Sequence, residues 1–272
     1  MSKSSKKRYQ YEADFHDRWA KLIIPKEVDY KASFESVTSS ENVFAYSKLS
    51  PVTGKKILDI GCGMGDASLY FASKKARVTA GDISPEMIKL VKKLAKINGF
   101  TRLILAGVVN ADKLPYNDKS FDIVFGNGLL HHVDPKKALA EVYRILRPGG
   151  TAAFIEPLAH NPIINIYRTI AKKVRTDYET PLTYDLVLSF RNLKFSRFEH
   201  REFHLTTLFI FLWYFLFERK NPNEVRYWKY ILKDSGRVGG VFTFLKKIDD
   251  FIVDNLPFLR RYFWNTVLVF RK

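Results

Sequence analysis

The sequence of 272 residues is 46% hydrophobic and 15% aromatic, which excludes general disorder and allows one elaborated α/β domain. Cys62 is the single cysteine, so an internal disulfide is excluded, and the sequence contains none of the paired Cys/His spacings of a structural zinc site, so no metal is expected. The formal net charge of +17 is spread along the chain and predicts attraction to a polyanion, without choosing among nucleic acid, anionic lipid and an acidic substrate.

The first part of the chain predicts a helical cap, which we place at residues 1–50. Residues 1–8 indicate a loose basic tail, and no apolar segment of a cleaved secretion signal follows them, so we expect a cytoplasmic protein. A second short helix is predicted over residues 40–49. Between them, helical spacing predicts one apolar stripe formed by Phe15, Trp19, Leu22 and Ile23.

The central part of the chain, residues 51–160, alternates short apolar runs with amphipathic segments. This alternation is typical of a parallel sheet with helices on both faces. Strands are predicted at 57–60, 78–83, 103–109, 121–126 and 151–156, and helices at 66–73, 85–98 and 135–146. In the last part, residues 161–272, further strands are predicted at 195–204 and 264–271. The aromatic, helical segment between them, about 205–261, is then an insertion near the mouth of an active site.

The strongest local signal is LDIGCGMGD, residues 58–66, in which a buried strand runs into a glycine-rich turn and then a helix. Gly61 and Gly63 permit a tight turn and the close approach of a ligand, and the unpaired N–H groups at the helix start favour a polar one. A dinucleotide site has the spacing G-x-G-x-x-G. Here the third glycine, Gly65, comes one residue early and Asp66 follows it, which disfavours NAD.

This pattern resembles the first motif of class I S-adenosylmethionine-dependent methyltransferases, and later blocks agree in order and spacing. The resemblance implies a seven-stranded, mostly parallel Rossmann-like sheet of order 3-2-1-4-5-7-6, with the seventh strand antiparallel. Asp82 ends the second strand, where a carboxylate can accept from both ribose hydroxyls, and Asp112 resembles the position that accepts from the adenine amino group. The predicted cofactor-binding residues are Asp59, Gly61, Cys62, Gly63, Gly65, Asp82, Ile83, Ala111, Asp112 and Asn127.

Candidate catalytic residues follow the fourth and fifth strands. An oxygen or carbon acceptor needs a base, and His131 and His132 lie just past the fourth strand, where the resemblance implies residues facing the methyl donor. Glu156 ends the fifth strand, at the edge where α/β sheets bind ligands. Structural roles are the alternative, since a histidine can pack under the sheet edge and a buried carboxylate can hold a loop through its N–H groups.

The ending of the fourth strand bears on the acceptor. It reads Gly126-Asn127-Gly128, not the Asn/Asp-Pro-Pro-Tyr of methyltransferases that act on the amino groups of nucleobases. We therefore expect a small, hydrophobic or lipid-like acceptor, as in the quinone and small-molecule methyltransferases that the chain resembles, methylated on oxygen or carbon. An RNA or protein methyltransferase with a basic face, and a non-catalytic protein that binds S-adenosylmethionine, remain alternatives.

Residues 203–217 form an apolar run of 15 residues, short of the roughly 20 needed to span a bilayer. Aromatic and basic residues recur together there and near residues 258–264. This combination is typical of a surface that lies in the interface of an anionic membrane, here its inner face. A buried helix of the insertion, or a dimer contact, has the same composition.

Overall fold

The computed structural model describes residues 3–25, 28–176 and 178–272. Seven strands form one sheet: β1 (Lys56–Ile60), β2 (Arg77–Asp82), β3 (Ile104–Val108), β4 (Phe121–Asn127), β5 (Leu146–Pro157), β6 (Arg197–Phe203) and β7 (Asn265–Arg271). Their order is β3-β2-β1-β4-β5-β7-β6. The first five strands pair in parallel, whereas β7 is antiparallel to both β5 and β6. The predicted fold class and strand order are confirmed.

Helices precede, cover and interrupt this sheet. They are α1 (Lys3–Ala20), α2 (Ala32–Glu35), α3 (Ser40–Leu49), α4 (Asp66–Ser73), α5 (Pro85–Ile97), α6 (Pro135–Ile145), α7 (Pro162–Ile170), α8 (Tyr184–Ser189), α9 (Phe209–Leu216), α10 (Tyr227–Lys233) and α11 (Ser235–Asn255). Three of them begin with a polar cap followed by proline, since Ser84, Asp134 and Asn161 accept from backbone N–H groups of α5, α6 and α7.

Alternating side chains divide the core between the two faces of the sheet. Ile57 of β1 packs with Phe71 of α4 and Met87 of α5 on one face. The next residue, Leu58, packs with Leu139 and Val142 of α6 on the other. This period of two, in strands covered on both sides, is the reason for their near-continuous apolar sequences.

The helices between β6 and β7 form a third buried cluster, the insertion cluster. Phe211 and Tyr214 of α9, Tyr227 of α10 and Phe242 of α11 pack there with Ile164 of α7. The apolar run at 203–217 is therefore partly core, which is one of the structural alternatives considered for it. No described helix combines the length and the apolar character needed to cross a bilayer.

Two predictions for the N-terminal segment are wrong. The loose basic tail is helical from Lys3 onward, within α1; residues 1 and 2 lie outside the described part of the chain. The apolar stripe fails at Leu22, whose side chain is 80% exposed. Because α1 ends at Ala20 and a turn follows, Leu22 leaves the face on which Trp19 packs. The predicted domain bounds remain predictions.

Candidate functional site

A cavity of about 440 Å³ lies at the carboxyl ends of β1, β2 and β4, which reach it at Ile60, Asp82 and Asn127. This edge is where ligands bind in open α/β sheets, and the volume is typical of a small-molecule site. Helix α1 contributes to its lining, together with side chains of α7, α9, α10 and α11.

The glycine turn after β1 shapes one wall of the cavity. Gly63 has a φ of +49°, and no atom lies within 4 Å of the position that a Cβ would take there. Since Gly63 lines the cavity, a larger residue would fill ligand space as well as strain the backbone. Gly65 does not line it; a Cβ at Gly65 would meet Val91 of α5 at 2.9 Å, so this glycine permits helix packing.

Asp82 is oriented by the backbone around it. Its Oδ2 accepts from the N–H of Gly63 at 2.8 Å, and its Oδ1 accepts from the N–H of Ser84 at 2.9 Å. A carboxylate offers about four acceptor sites, so both oxygens retain capacity after these two bonds. A buried carboxylate with one open site on each oxygen fits the two hydroxyls of a ribose.

Asp112 is covered by α1 and does not line the cavity itself. Its Oδ2 accepts from the hydroxyl of Tyr9, whereas its Oδ1 is buried without a hydrogen-bond partner among the described residues. Burial, followed by the bond to Asp112, raises the pKa of the Tyr9 hydroxyl, so Tyr9 remains a donor. The open Oδ1 is an acceptor that suits the amino group of an adenine.

Asp59, by contrast, has a hydrogen-bond partner within the core. Its Oδ2 accepts from the hydroxyl of Ser68 in α4 at 2.5 Å, and burial raises its pKa to about 7. Of the ten predicted cofactor residues, eight line the cavity: Asp59, Gly61, Cys62, Gly63, Asp82, Ile83, Ala111 and Asn127. Their roles toward a cofactor remain predictions, and the unsatisfied carboxylate oxygens fit S-adenosylmethionine.

Sequence comparison agrees with this geometry. Residues 58–154 match the family model described as "Methyltransferase domain". The chain is also 40% identical over 111 residues to the ubiquinone/menaquinone biosynthesis C-methyltransferase UbiE of Bartonella bacilliformis, a match that covers 39% of this chain and 42% of that protein. Residues 58–154, about a third of the chain, thus match the class I methyltransferase family. The resemblance in the glycine turn and the later blocks is thus confirmed, including the family's use of S-adenosylmethionine.

The structural comparisons extend the likeness beyond the methyltransferase domain. A chain in the solved complex of the Haloferax volcanii Trm112 methyltransferase activator is similar with a TM-score of 0.60 and 19% identity, over 95% of this chain and 96% of that one. The [4+2]-cyclase SpnF is similar with a TM-score of 0.55 and 18% identity, over 90% and 84%. Since a cyclase shares the fold, the fold alone does not determine the reaction. The sequence matches, in turn, cover only 40 to 50% of the relatives' own length.

Near the end of β5, Glu156 holds the loop that follows β4. Its Oε1 accepts from the N–H groups of Leu129 at 2.9 Å and Leu130 at 2.7 Å, and its Oε2 lies 2.8 Å from Nδ1 of His131. Burial raises the pKa of Glu156 to about 7 and, with the neighbouring His132, holds the pKa of His131 well below its usual range. Glu156 does not line the cavity, so its contacts are those of a loop-positioning residue, the alternative considered for it.

His132 does line the cavity and faces a carboxylate of α1. Its Nδ1 lies 3.3 Å from Oε2 of Glu12, and both atoms are buried without a hydrogen bond to a described residue. The other oxygen of Glu12 accepts from the Thr176 hydroxyl at 2.8 Å. Burial alone would lower the pKa of His132, but Glu12 and then Glu179 and Glu156 raise it.

Side chains around His132 form two groups that could hold a metal ion. Ligand atoms of Glu12, His16 and His132 lie within 4.8 Å of one another, as do those of His131, His132 and Glu179. Both groups contain His132. The sequence-based expectation of no metal was drawn from cysteine and histidine spacing along the chain, and such spacing gives no information on residues brought together by folding. It stays a prediction.

Sequence reasoning missed the contribution of α1 to the site. Tyr9, Glu12, His16 and Trp19 all line the cavity, and their separations of three, four and three residues place them on one helical face. The available signal was this mixed polar and aromatic periodicity. The sequence predicts only the apolar stripe through Phe15, because nothing along the chain indicates which part of the fold the polar face of α1 covers.

Proposed function

We propose that this protein transfers a methyl group from S-adenosylmethionine to a carbon or oxygen atom of a small, apolar, quinone-like acceptor. The observation that carries the proposal is the continuity of one cavity. It joins the glycine turn and Asp82 to His132 and onward to Phe211, Trp228 and Trp264 of the C-terminal segment. A polar donor site and an apolar acceptor site thus share one space.

The chemistry divides among the residues as follows. S-adenosylmethionine, when bound, supplies an electrophilic methyl group on a sulfonium that leaves as a neutral thioether. Asp82 would hold the ribose hydroxyls of the cofactor, whereas Asp112 does not line the cavity. The carboxylate of Glu12 favours the tautomer of His132 that carries its proton on Nδ1. Nε2 of His132 is then free to accept the proton of an acceptor hydroxyl, which creates the nucleophile. The apolar wall excludes water from this step.

The acceptor class is supported by two independent features. The relative from Bartonella bacilliformis is named a ubiquinone/menaquinone biosynthesis C-methyltransferase, and it is similar to this chain over the central segment. In the C-terminal part, outside that segment, the cavity lining mixes charged side chains with aromatic ones such as Phe211, Trp228 and Phe242, and the aromatic ones suit a flat, apolar ring system.

The purified full chain, incubated with methyl-labelled S-adenosylmethionine, tests this function. Acceptors are a quinol that lacks its ring methyl group and a cell extract separated into lipid, small-molecule, RNA and protein fractions. We expect label in the quinol and the lipid fraction. His132→Gln should lower turnover by about 10²- to 10⁴-fold and leave the affinity for S-adenosylhomocysteine unchanged. The control is His160→Gln, an exposed residue outside the cavity. Label in RNA or protein, or an active His132→Gln variant, would overturn the assignment.

We also propose that the acceptor is taken from an anionic membrane surface. The outer sides of two helices of the insertion cluster form what we name the aromatic face: Phe209, Trp213 and Phe217 at α9, and Val241, Phe244, Ile248 and Phe251 along α11. The α11 residues recur at intervals of three and four, so they share one side of the helix. Residues 205–262 carry ten Lys and Arg against six Asp and Glu, which complements anionic headgroups.

A further inference from the structure

Arg168 and Arg175 lie where two cavities meet. Both line the cavity of the methyltransferase site, and both also line a second, more open cavity together with Lys172, Thr176 and Glu179. The proposed chemistry uses none of these cations. A ligand group that enters from the second cavity would meet these cations at the junction.

Arg168 has only uncharged hydrogen-bond partners among the described residues. Its Nη1 donates to the carbonyl of Leu158 at 3.2 Å and to Oδ1 of Asn165 at 2.8 Å, both uncharged acceptors. Within residues 3–25, 28–176 and 178–272, no carboxylate forms an ion pair with it. Burial, and then the neighbouring Arg175, lowers its pKa to about 10. A half-buried guanidinium with only neutral partners is electrostatically unfavourable until an anion reaches it.

The charged groups around Arg168 do not offset its positive charge. Arg175 is neutralised by its ion pair with Glu179, which is the one carboxylate among the described residues that line the second cavity. Lys172 adds a third cation to that lining. Among the described residues of this lining, Arg168 and Lys172 are two cations without a carboxylate partner, which makes the site positive. A guanidinium can bind both oxygens of a carboxylate or phosphate at once.

We propose that the acceptor is an amphipathic acid, whose apolar ring or chain occupies the methyltransferase cavity and whose carboxylate or phosphate binds Arg168 at the junction and Lys172 in the second cavity. The inference rests on the proposed function and specifies the substrate class of the same site. It also assigns part of the large positive charge of the chain to a ligand. An anion anchored at the junction would fix how far the apolar part reaches toward His132.

Calorimetric titration with three probes of equal chain length tests the proposal. Octanoate, octyl phosphate and 1-octanol are titrated into the full chain with and without S-adenosylhomocysteine. We expect at least one anion to bind about 10- to 100-fold more tightly than octanol, the range that a charge-assisted hydrogen bond supplies. The stronger of the two anions identifies carboxylate or phosphate as the preferred group.

Two variants of Arg168 and one control variant distinguish the loss of a positive charge from a loss of folding. Arg168→Gln should remove most of the preference for anions and leave the affinity for octanol unchanged, whereas Arg168→Lys should retain part of the preference. Lys93→Gln, an exposed cation on α5, is the matched control and should behave as wild type. Equal affinities for the three probes, or a preference that persists in Arg168→Gln, would overturn the proposal.

The result of this titration does not depend on whether the protein transfers a methyl group. A preference for anions without labelled product would support the junction site and remove the proposed function. Labelled product without such a preference would leave the function standing and remove the acidic substrate class.

Discussion

Three buried carboxylates near the cavity have different contacts and therefore different roles. Asp59 accepts from Ser68, and Glu156 accepts from the N–H groups of its loop. Asp82 accepts one N–H on each oxygen and keeps capacity on both. Glu156 is fully engaged by its loop, and burial raises the pKa of Asp59 to about 7, which leaves Asp82 as the carboxylate available to accept from a ligand.

Asp82→Asn tests this assignment. In this variant an NH₂ group replaces one carboxylate oxygen and lies against the N–H of either Gly63 or Ser84. The side chain then can no longer accept from both N–H groups and both ribose hydroxyls. We expect the affinity for S-adenosylhomocysteine, measured by calorimetry, to fall by about 10- to 100-fold. Asp185→Asn, whose side chain is 83% exposed, should bind as wild type. An unchanged affinity in Asp82→Asn would contradict a ribose contact.

The pairing of Glu12 with His132 predicts a pH dependence. Since carboxylates raise the pKa of His132, its neutral base form is lost as the pH falls through that raised pKa, and turnover should fall with it. Glu12→Gln removes the largest raising influence, so the acidic limb of the kcat/KM profile should move to lower pH. Its plateau should drop by about 10- to 100-fold, because the imidazole is no longer oriented.

The control for this profile is Glu224→Gln, at an exposed position outside the cavity. A purely structural role for Glu12 would lower the melting temperature and the amount of active protein without moving the midpoint of the acidic limb. A midpoint that stays in place would therefore exclude Glu12 as the group that tunes His132.

At the scale of elements, α1 is the part of the fold that completes the site. Asp17 attaches it to the start of α5, where its Oδ1 accepts from the Ser84 hydroxyl at 2.5 Å and from the N–H of Glu86 at 3.1 Å. A carboxylate at a helix N-terminus is also favoured by the helix dipole. This attachment holds Tyr9 and Glu12 against Asp112 and His132.

Asp17→Ala should loosen α1 without unfolding the sheet. We expect the amides of α1 to exchange hydrogen about tenfold faster, while those of β1 and β4 keep their protection, as measured by exchange and mass spectrometry. Asp14→Ala changes an exposed acid on the same helix and should leave exchange unchanged. Equal effects of the two variants, or faster exchange throughout the sheet, would show that Asp17 is not a specific attachment.

At the scale of the whole molecule, the chain between β6 and β7 both lines the cavity and carries the aromatic face. The inner sides of α9 and α11 supply Phe211 and Phe242 to the cavity lining. Their outer sides expose Phe209 and Phe244, at 54% and 65%. Under the proposed function, this segment would contact the membrane with its outer side and receive the acceptor on its inner side.

Flotation with lipid vesicles tests the aromatic face. The wild-type chain should float with vesicles containing phosphatidylglycerol, and less with neutral vesicles or at high salt. The double variant Phe244→Ser, Phe251→Ser should lower the bound fraction by about tenfold or more, since it removes two exposed aromatic side chains. Leu105→Ser is the matched control, because Leu105 is 72% exposed on β3 at the opposite edge of the sheet. A wild-type chain that never floats would refute membrane contact.

The strand order follows from the resemblance to class I methyltransferases. The sequence alone was sufficient for the glycine turn, for the alternation of strands and helices, and for eight of the residues that line the cavity. These features depend on local signals, namely apolar periodicity and glycines next to a strand, and on topological rules that act over neighbouring segments. Residues such as Gly63 and Asp82 come directly after predicted strands, so their meeting at one edge of the sheet follows from the alternation of elements.

The tertiary structure alone decided which polar side chains have partners. Glu12 lies 120 residues before His132, and Arg168 reaches the cavity from a helix beyond the sheet core. Glu156 and His132 are both candidates from the sequence, but in the fold Glu156 accepts from loop N–H groups, whereas His132 lies against a carboxylate of α1. Such pairings depend on long-range packing and on the free energy of burying charge, which no local pattern along the chain records.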